Sequence, residues 1–295
     1  MMNYNQAATH IKEAYLKPLE NFEIKNLNDI ERFHDELINI RVNLRFQIGM
    51  EVMPHYRGEQ NYGWDIIPGI FRPPFAPNMD LGKAREIEKK GAEIFKERVI
   101  ERYGEEQLFK HSIKPYGEIW DLLFQAQHAA VKTNLIDLST SSVSSSFFMS
   151  EPNPGLDTAD GRLWGILVPS EFIYNETSDY DKLVYPEFNP FALERGFVCN
   201  VPTYITDIDQ RTYQFRLFRQ HGRLFASSDA NLHIPLNQKE FWKDMMVRVR
   251  VPAEAKKTIF KELAERGIDR DSMMHTESEE ADKMINEINR MLMGI

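Results

Sequence analysis

Four polar residues lie in segments of the chain that are otherwise apolar: Arg57, Gln127, His128 and Asp137. Buried polar side chains need hydrogen-bonding partners, so we expect these four to lie close together and to satisfy one another. The guanidinium of an arginine is a planar donor that suits phosphate and carboxylate oxygens. Arg57 is therefore either a ligand for phosphate or a structural partner of a carboxylate such as Asp137, and the sequence leaves both interpretations open.

Several familiar catalytic motifs are absent. The chain has no Gly-x-Gly-x-x-Gly after a strand, no Walker-type loop, no HExxH and no Gly-x-Ser-x-Gly. These absences count against P-loop nucleotide hydrolases, zincins and α/β-hydrolases. The single cysteine, Cys199, excludes an internal disulfide and a zinc site built from several thiolates. We expect no metal site, and we expect Cys199 to be a buried, inert thiol.

The composition is that of a folded protein, with 42% hydrophobic and 27% charged residues. The net charge of −9 disfavours non-specific binding to nucleic acid, which depends on neutralising phosphates. No apolar stretch approaches the roughly 20 residues of a membrane span, and the first residues do not show the pattern of a secretory signal. These features predict a cytoplasmic protein that has no membrane partner.

Helices are predicted where apolar residues recur at helical spacing. The pattern indicates one helix that begins near Asn28, one over Asp80 to Tyr103, and one after Pro115 that carries Ile119, Leu122, Leu123 and Ala126. Near the C-terminus, Pro252 begins a helix that Gly267 stops. A last helix is introduced by Thr276 and Glu279, which form a capping-box pattern.

Short strands are predicted after about residue 139. They cover Leu163 to Pro169, Phe197 to Ile205, Tyr213 to Phe218, Arg223 to Ser227 and Met245 to Val251. In the last of these, valines alternate with arginines, so one face is expected to be solvated. Helices at both ends of a mainly antiparallel sheet predict an α+β fold. We divide the chain into an N-terminal extension, residues 1–27, and one domain, residues 28–295.

Four segments, taken in order, resemble the FRG-domain family. The first carries Tyr56, Arg57, Gly58, Glu59, Gln60, Trp64, Pro68 and Arg72; the second carries Gln127, His128, Thr133, Leu135 and Asp137; the third carries Arg219, Gln220, Gly222 and Phe225; and the fourth runs from Val251 to Leu292. The sequence departs from the family pattern at three places. Asn134 stands where the family has arginine, and Ala130 stands where it has glycine. Residues 144–148 read Ser-Ser-Ser-Phe-Phe where the family has an alanine-rich, aromatic stretch.

The order of these motifs is similar to that of the arginine–serine–glutamate class of ADP-ribosyltransferases. That resemblance implies a split-sheet core and NAD as the substrate. It implies that Arg57 holds the pyrophosphate and that hydroxyls of Ser139, Thr140 and Ser141 support the ribose. The expected catalytic carboxylate falls near Gln220, which is uncharged, so Glu59 is the nearest acidic alternative. The implied ligand-binding set is Tyr56, Arg57, Gly58, Arg72, Gln127, His128, Thr133, Asp137, Ser139, Thr140 and Ser141.

Two functions remain open at this point. One is transfer of ADP-ribose from NAD to an unknown acceptor, as in a toxin or a phage-defence effector. The other is a catalytically silent module that recognises a nucleotide, a nucleic acid or a protein. Structural roles compete for several of these residues: Tyr56 and Trp64 as core, Gln220 as a capping group, and Ser139 to Ser146 as a turn or strand edge. The transferase hypothesis requires Arg57, Ser139 to Ser141 and Gln220 to converge on one cleft between two sheets.

Overall fold

The computed structural model describes residues 4–73, 75, 79–105, 117–175, 190, 193, 196–200, 219–274 and 279–294. The helices of this part of the chain are α1 (Tyr4–Ile11), α2 (Leu27–Ile48), α3 (Leu81–Tyr103), α4 (Gly117–His128), α5 (Ser142–Ser150), α6 (Glu240–Asp244), α7 (Ala253–Glu265), α8 (Arg270–Met274) and α9 (Glu279–Met293). The strands are β1 (Val52–Glu59), β2 (Leu135–Ser139), β3 (Gly161–Pro169), β4 (Ile173–Asn175), β5 (Phe197–Asn200), β6 (Gly222–Ala226) and β7 (Met246–Val251).

The described strands form one seven-stranded sheet in the order β4-β5-β6-β2-β1-β3-β7. All neighbouring pairs are antiparallel except β4 and β5, which are parallel. The prediction of a mainly antiparallel α+β fold is therefore confirmed. In β7 the buried valines alternate with exposed Arg248 and Arg250, as predicted for a strand with one solvated face.

Helix α2 packs directly on the half of the sheet formed by β1, β3 and β7. The side chain of Asn26 accepts a hydrogen bond from the backbone N–H of Asp29 and so caps the helix. A Cβ on Gly165 of β3 would lie 2.5 Å from Leu37 and 2.9 Å from Phe33, so only glycine permits this close approach. Helices α2, α5 and α7 thus share one core cluster with these strands.

The other half of the sheet, β2, β6 and β5, packs against α3 and α4 through a second cluster that includes Trp120, Phe124 and Phe197. Helix α9 closes a third cluster against α3, where Leu292 approaches Gly91. Each half of the sheet therefore has its own helical layer. The seam between the two halves runs between β1 and β2.

Most predicted elements appear within a residue or two of their expected bounds. Residues 201–218, and with them the strand predicted over Tyr213 to Phe218, lie outside the described residues, as do Pro115 and Thr276. Two predictions are wrong. The serine run is not a turn or strand edge beyond Ser139, because residues from Ser142 onward form α5. Trp64 is not core, because 46% of its surface is exposed.

No helix among the described residues combines the length and the apolarity that crossing a bilayer requires. The cytoplasmic location stays a prediction. The boundary after residue 27 also stays a prediction, although Ile11, Leu16 and Ile24 share the core cluster of α2.

Candidate functional site

The three residues of the Tyr-Arg-Gly triplet do three different things on β1. Tyr56 is fully buried, and its hydroxyl lies 2.7 Å from Nδ1 of His34 on α2. Burial raises the pKa of Tyr56 well above its ordinary value. Gly58 lies under α5, where an added Cβ would be 1.9 Å from the carbonyl oxygen of Ser145. Tyr56 and Gly58 therefore have structural roles, whereas Arg57 lines a cleft in the surface.

Strands β1 and β2 separate almost as soon as they meet. Their register contains the pair Tyr56 and Ser139, whereas β1 and β3 are paired over eight residues from Val52 to Glu59. Across the gap, Nη1 of Arg57 donates a hydrogen bond to the carbonyl oxygen of Asp137 at 2.6 Å. The side chain of Arg57 therefore links β1 to β2 at a point where backbone hydrogen bonds would join the strands of a continuous sheet.

A cleft of about 310 Å³ opens beside this seam. Its lining residues are Tyr56, Arg57, Gly58, Gly69, Arg72, Gln127, His128, Ala130, Val131, Lys132, Asp137, Leu138, Ser139, Ser145, Phe148 and Gln220. The four polar residues first singled out in the sequence all belong to this set. The cleft lies at the seam of one sheet, not between two sheets. Arg57, Ser139 and Gln220 converge on it, but Thr140 and Ser141 do not line it, so the arrangement that the transferase hypothesis requires is present only in part.

The carboxylate of Asp137 is oriented by a short relay. Oγ1 of Thr133 donates to Oε1 of Gln127 at 2.6 Å, and Nε2 of Gln127 donates to Oδ2 of Asp137 at 2.8 Å. Because Oε1 of Gln127 is occupied as an acceptor, its Nε2 must face the carboxylate. Asp137 itself is exposed to the cleft, while Thr133 is buried behind it.

Three cations share the cleft with this one carboxylate: Arg57, Arg72 and Lys132. Nε of Arg72 donates to the carbonyl oxygen of Ile67 at 2.8 Å. Burial, and then the neighbouring Arg57, lower the pKa of Arg72 to about 10. Burial, and then Arg72, also lower the pKa of Lys132. These cations destabilise one another, so an anion that entered the cleft would relieve their repulsion.

Glu59 lies behind the cleft and does not line it. Its Oε1 accepts from Nε of Arg57 at 3.0 Å, and its Oε2 accepts from Nε of Arg162 at 2.9 Å. Glu59 is 6% exposed and Arg162 is 1% exposed. Both carboxylate oxygens therefore take part in a buried ion-pair network that fixes the guanidinium of Arg57 at its Nε.

Gln220 lines the cleft, but its side chain is already engaged. Its Nε2 donates to the carbonyl oxygen of Met273 on α8 at 2.8 Å. The backbone carbonyl oxygen of Gln220 accepts from Oγ of Ser139 at 2.7 Å. Ser141 caps α5 by accepting from the N–H of Ser144. Thr140 binds the carbonyl oxygen of His221 through its N–H at 3.0 Å. Of the Ser-Thr-Ser segment, only Ser139 lines the cleft.

His128 is the last residue of α4 and is buried at the edge of the cleft. Ala130, two residues later, has a φ of 62°, in the left-handed region that glycine prefers. The family pattern places glycine at this position, and the backbone conformation explains that preference. Lys132 was missed in the sequence because it occupies no position in a motif. Phe148 lies in the stretch that departs from the family pattern and was not assigned to the site.

Among the described residues, no three His, Cys, Asp or Glu side chains lie together in a way that could hold a metal ion. The expectation that no metal is needed stays a prediction. Cys199 is fully buried, and burial raises the pKa of its thiol well above the ordinary value, which fits an inert role.

The fold and the cleft thus define an α+β protein with a cationic cleft at a sheet seam. The family model of the FRG domain matches residues 54–155, so the chain contains an FRG domain. Every lining residue of the cleft except Gln220 falls inside this match. Comparison with curated proteins and with solved structures gives no significant match. The resemblance to ADP-ribosyltransferases therefore rests on the motif order alone.

Proposed function

We propose that the cleft binds a phosphate-bearing nucleotide, with NAD as the first candidate. The observation that carries this proposal is the convergence of Arg57, Arg72 and Lys132 on one cleft, where the lining among the described residues includes a single carboxylate, that of Asp137. The chain as a whole has a net charge of −9, so this concentration of positive charge is local. Cationic clefts of this kind attract anionic ligands and raise their local concentration.

The donors that remain in the cleft suit phosphate oxygens. Arg57 uses Nε and Nη1 within the protein, and Arg72 uses Nε, so the described contacts leave Nη2 of Arg57 and both terminal nitrogens of Arg72 for a ligand. Two guanidinium forks can bind adjacent phosphates in a bidentate manner. The apolar residues Val131, Leu138 and Phe148 line the same cleft and suit a ring system. The volume of about 310 Å³ lies at the lower end of ligand sites.

Turnover of NAD is a second proposal, and the position of Asp137 favours it. Breaking the bond between nicotinamide and C1 of the ribose leaves positive charge on the sugar, and nicotinamide departs with the bonding electrons. A carboxylate beside the sugar would stabilise that charge. Asp137 suits this role better than Glu59 or Gln220, because Gln127 occupies only its Oδ2 among the described residues. Transfer to a protein or nucleic acid would give the activity of a toxin or a phage-defence effector.

The test of binding is calorimetric titration of the purified protein with NAD and with ADP-ribose. Nicotinamide riboside, which lacks the pyrophosphate, serves as the matched ligand. We expect saturable binding of the first two and loss of most of the affinity for the third. Arg72→Gln should weaken binding about 10–100-fold, because hydrogen bonds to charged groups contribute about 1.5–3 kcal/mol each.

Arg32→Gln on α2 is the matched control, since it removes the same charge from an exposed site outside the cleft. Equal losses in Arg32→Gln and Arg72→Gln would contradict a specific phosphate site. Release of nicotinamide is then followed in wild type and in Asp137→Asn, which keeps an acceptor for Gln127. If binding persists in both proteins and neither releases nicotinamide, the cleft is a recognition site and the transferase proposal fails.

A further inference from the structure

We propose that Lys132 is a nucleophilic amine that captures the carbonyl group of a phosphorylated aldehyde or ketone as an imine. This proposal rests on the proposed phosphate binding for its choice of ligand, and it assigns to the cleft a covalent chemistry that NAD binding alone does not require. The argument has three parts: how the lysine is held, what surrounds its amine, and why a phosphorylated carbonyl compound would place its reacting carbon there.

The backbone that carries Lys132 is clamped by the C-terminal helix α9. Nδ2 of Asn289 donates to the carbonyl oxygen of Ala130 at 3.0 Å, and the N–H of Lys132 donates to Oδ1 of Asn289 at 3.3 Å. This pair of hydrogen bonds secures the turn in which Ala130 adopts its left-handed conformation. The start of the lysine side chain is therefore fixed against a packed helix, although it stands in a connection between α4 and β2.

The stem of Lys132 lies along the turn at Gly69. A Cβ placed on Gly69 would lie 3.4 Å from Cδ of Lys132 and 3.8 Å from the carbonyl oxygen of Thr133. The N–H of Ile70 donates to that same carbonyl oxygen at 3.2 Å, which ties the two segments together. The stem thus passes this turn at its Cδ, and Lys132 lines the cleft together with Arg72 and Asp137, whose charges act on its amine.

The surroundings of the amine favour its neutral form. Burial lowers the pKa of Lys132 most, Arg72 lowers it further, and Asp137 opposes the shift. A lysine activated in this way, by desolvation and a neighbouring cation, is the usual source of a Schiff-base amine. Two other lysines with a lowered pKa, Lys239 and Lys256, do not line the cleft, and Lys261 lies exposed on the surface.

The reaction itself is balanced without an oxidant or a reductant. The lone pair of the neutral amine attacks the carbonyl carbon, a C–N bond forms, and the amine gives up both of its protons. The carbonyl oxygen takes up these protons and leaves as water, so the product is an imine. A phosphate held by Arg57 and Arg72 would keep the carbonyl beside the amine. Sugar phosphates belong to this class, and so does ADP-ribose, whose free ribose opens to an aldehyde.

Pyridoxal 5′-phosphate is a suitable probe, because it joins an aldehyde to a phosphate. The full chain is treated with a limiting amount, the imine is reduced with borohydride, and modified lysines are located by peptide mass spectrometry. We expect Lys132 to be labelled at least about tenfold faster than Lys261, since phosphate binding raises the effective concentration of the aldehyde. Pyridoxal, which lacks the phosphate, should lose most of this preference.

The proposal is overturned if Lys132 reacts no faster than Lys261, or if pyridoxal labels it as selectively as the phosphate does. Lys132→Arg keeps the positive charge and must abolish the fast labelling. Nucleotide binding is measured by calorimetry on the wild-type protein, which separates the two proposals. If NAD and ADP-ribose do not bind while Lys132 is labelled in a phosphate-dependent way, nucleotide binding fails and the amine chemistry stands. If nucleotides bind and Lys132 is not labelled, the amine chemistry fails and nucleotide binding stands.

Discussion

Replacing Ala130 with glycine should make the protein more stable. Ala130 follows α4 with a φ of 62°, and the left-handed conformation costs a residue with a Cβ about 1–2 kcal/mol. Glycine removes that cost but loses about 0.4–1 kcal/mol, because its unfolded chain is more flexible. The difference leaves an increase of about 0.8 kcal/mol in the free energy of unfolding. The hydrogen bonds of Ala130 to Gln127 and Asn289 use backbone atoms, so they survive the change.

Urea unfolding followed by tryptophan fluorescence gives this free energy. The matched control is Ala129→Gly, one residue earlier, where φ is outside the left-handed region. That control should lower the free energy of unfolding by about 0.5–1 kcal/mol, the ordinary cost of glycine. If Ala130→Gly lowers stability as much as Ala129→Gly does, the turn does not have the conformation that positions Lys132, and the reasoning is refuted.

Three further predictions concern β1. Gly58→Ala should prevent stable folding, because its Cβ would lie 1.9 Å from the carbonyl oxygen of Ser145, and this is read out as soluble yield and thermal midpoint. Glu59→Gln should lower the free energy of unfolding by about 3–5 kcal/mol, since it leaves the buried Arg162 without its charged partner. Burial lowers the pKa of His55 from 6.5 to about 4. Its folded pKa is depressed, so its contribution to stability is lost as pH falls from 6.5 towards 4, by about 3 kcal/mol in total.

Each of these predictions has a control. Gly155→Ala should be tolerated, since the nearest atom to its Cβ would be 3.7 Å away; equal damage at both glycines would contradict the role of close approach. Lys261→Gln breaks an exposed ion pair and should change stability by less than about 1 kcal/mol. For His55, stability is measured against pH in wild type and in His55→Asn. Parallel curves between pH 6.5 and 4 would show that the histidine does not carry the dependence.

Elements with a strong apolar period could be predicted from the sequence. Helix α7 and the alternating strand β7 follow directly from the spacing of their side chains. Helix α5 could not be predicted, because serine favours turns and caps over helix interiors. Two of its buried hydroxyls are satisfied within the helix: Ser146 and Ser150 each donate to the carbonyl oxygen four residues earlier at 2.7 Å. Packing on β1 and α7 then stabilises a segment whose intrinsic preference lies elsewhere.

The candidate site could be predicted in part. Polar residues in apolar segments pointed to Arg57, Gln127, His128 and Asp137, which line one cleft. The sequence could not show that Glu59 forms an ion pair with Arg162, because the two residues are 103 positions apart. Nor could it show that the amide of Gln220 binds α8. In both cases the tertiary fold supplies a structural partner for the side chain that was predicted to be catalytic. A local sequence motif does not contain that information.

The weak pairing of β1 and β2 has a mechanical consequence. In a continuous ladder, neighbouring strands are locked at a fixed spacing by hydrogen bonds along their length. Here the spacing beyond Tyr56 and Ser139 is set by the reach of one arginine, which spans from β1 to the carbonyl oxygen of Asp137. The length of the Arg57 side chain thus sets the distance between the two strands, and with it the width of the cleft. A shorter cation at this position would draw the two halves of the sheet together, and the aperture would narrow.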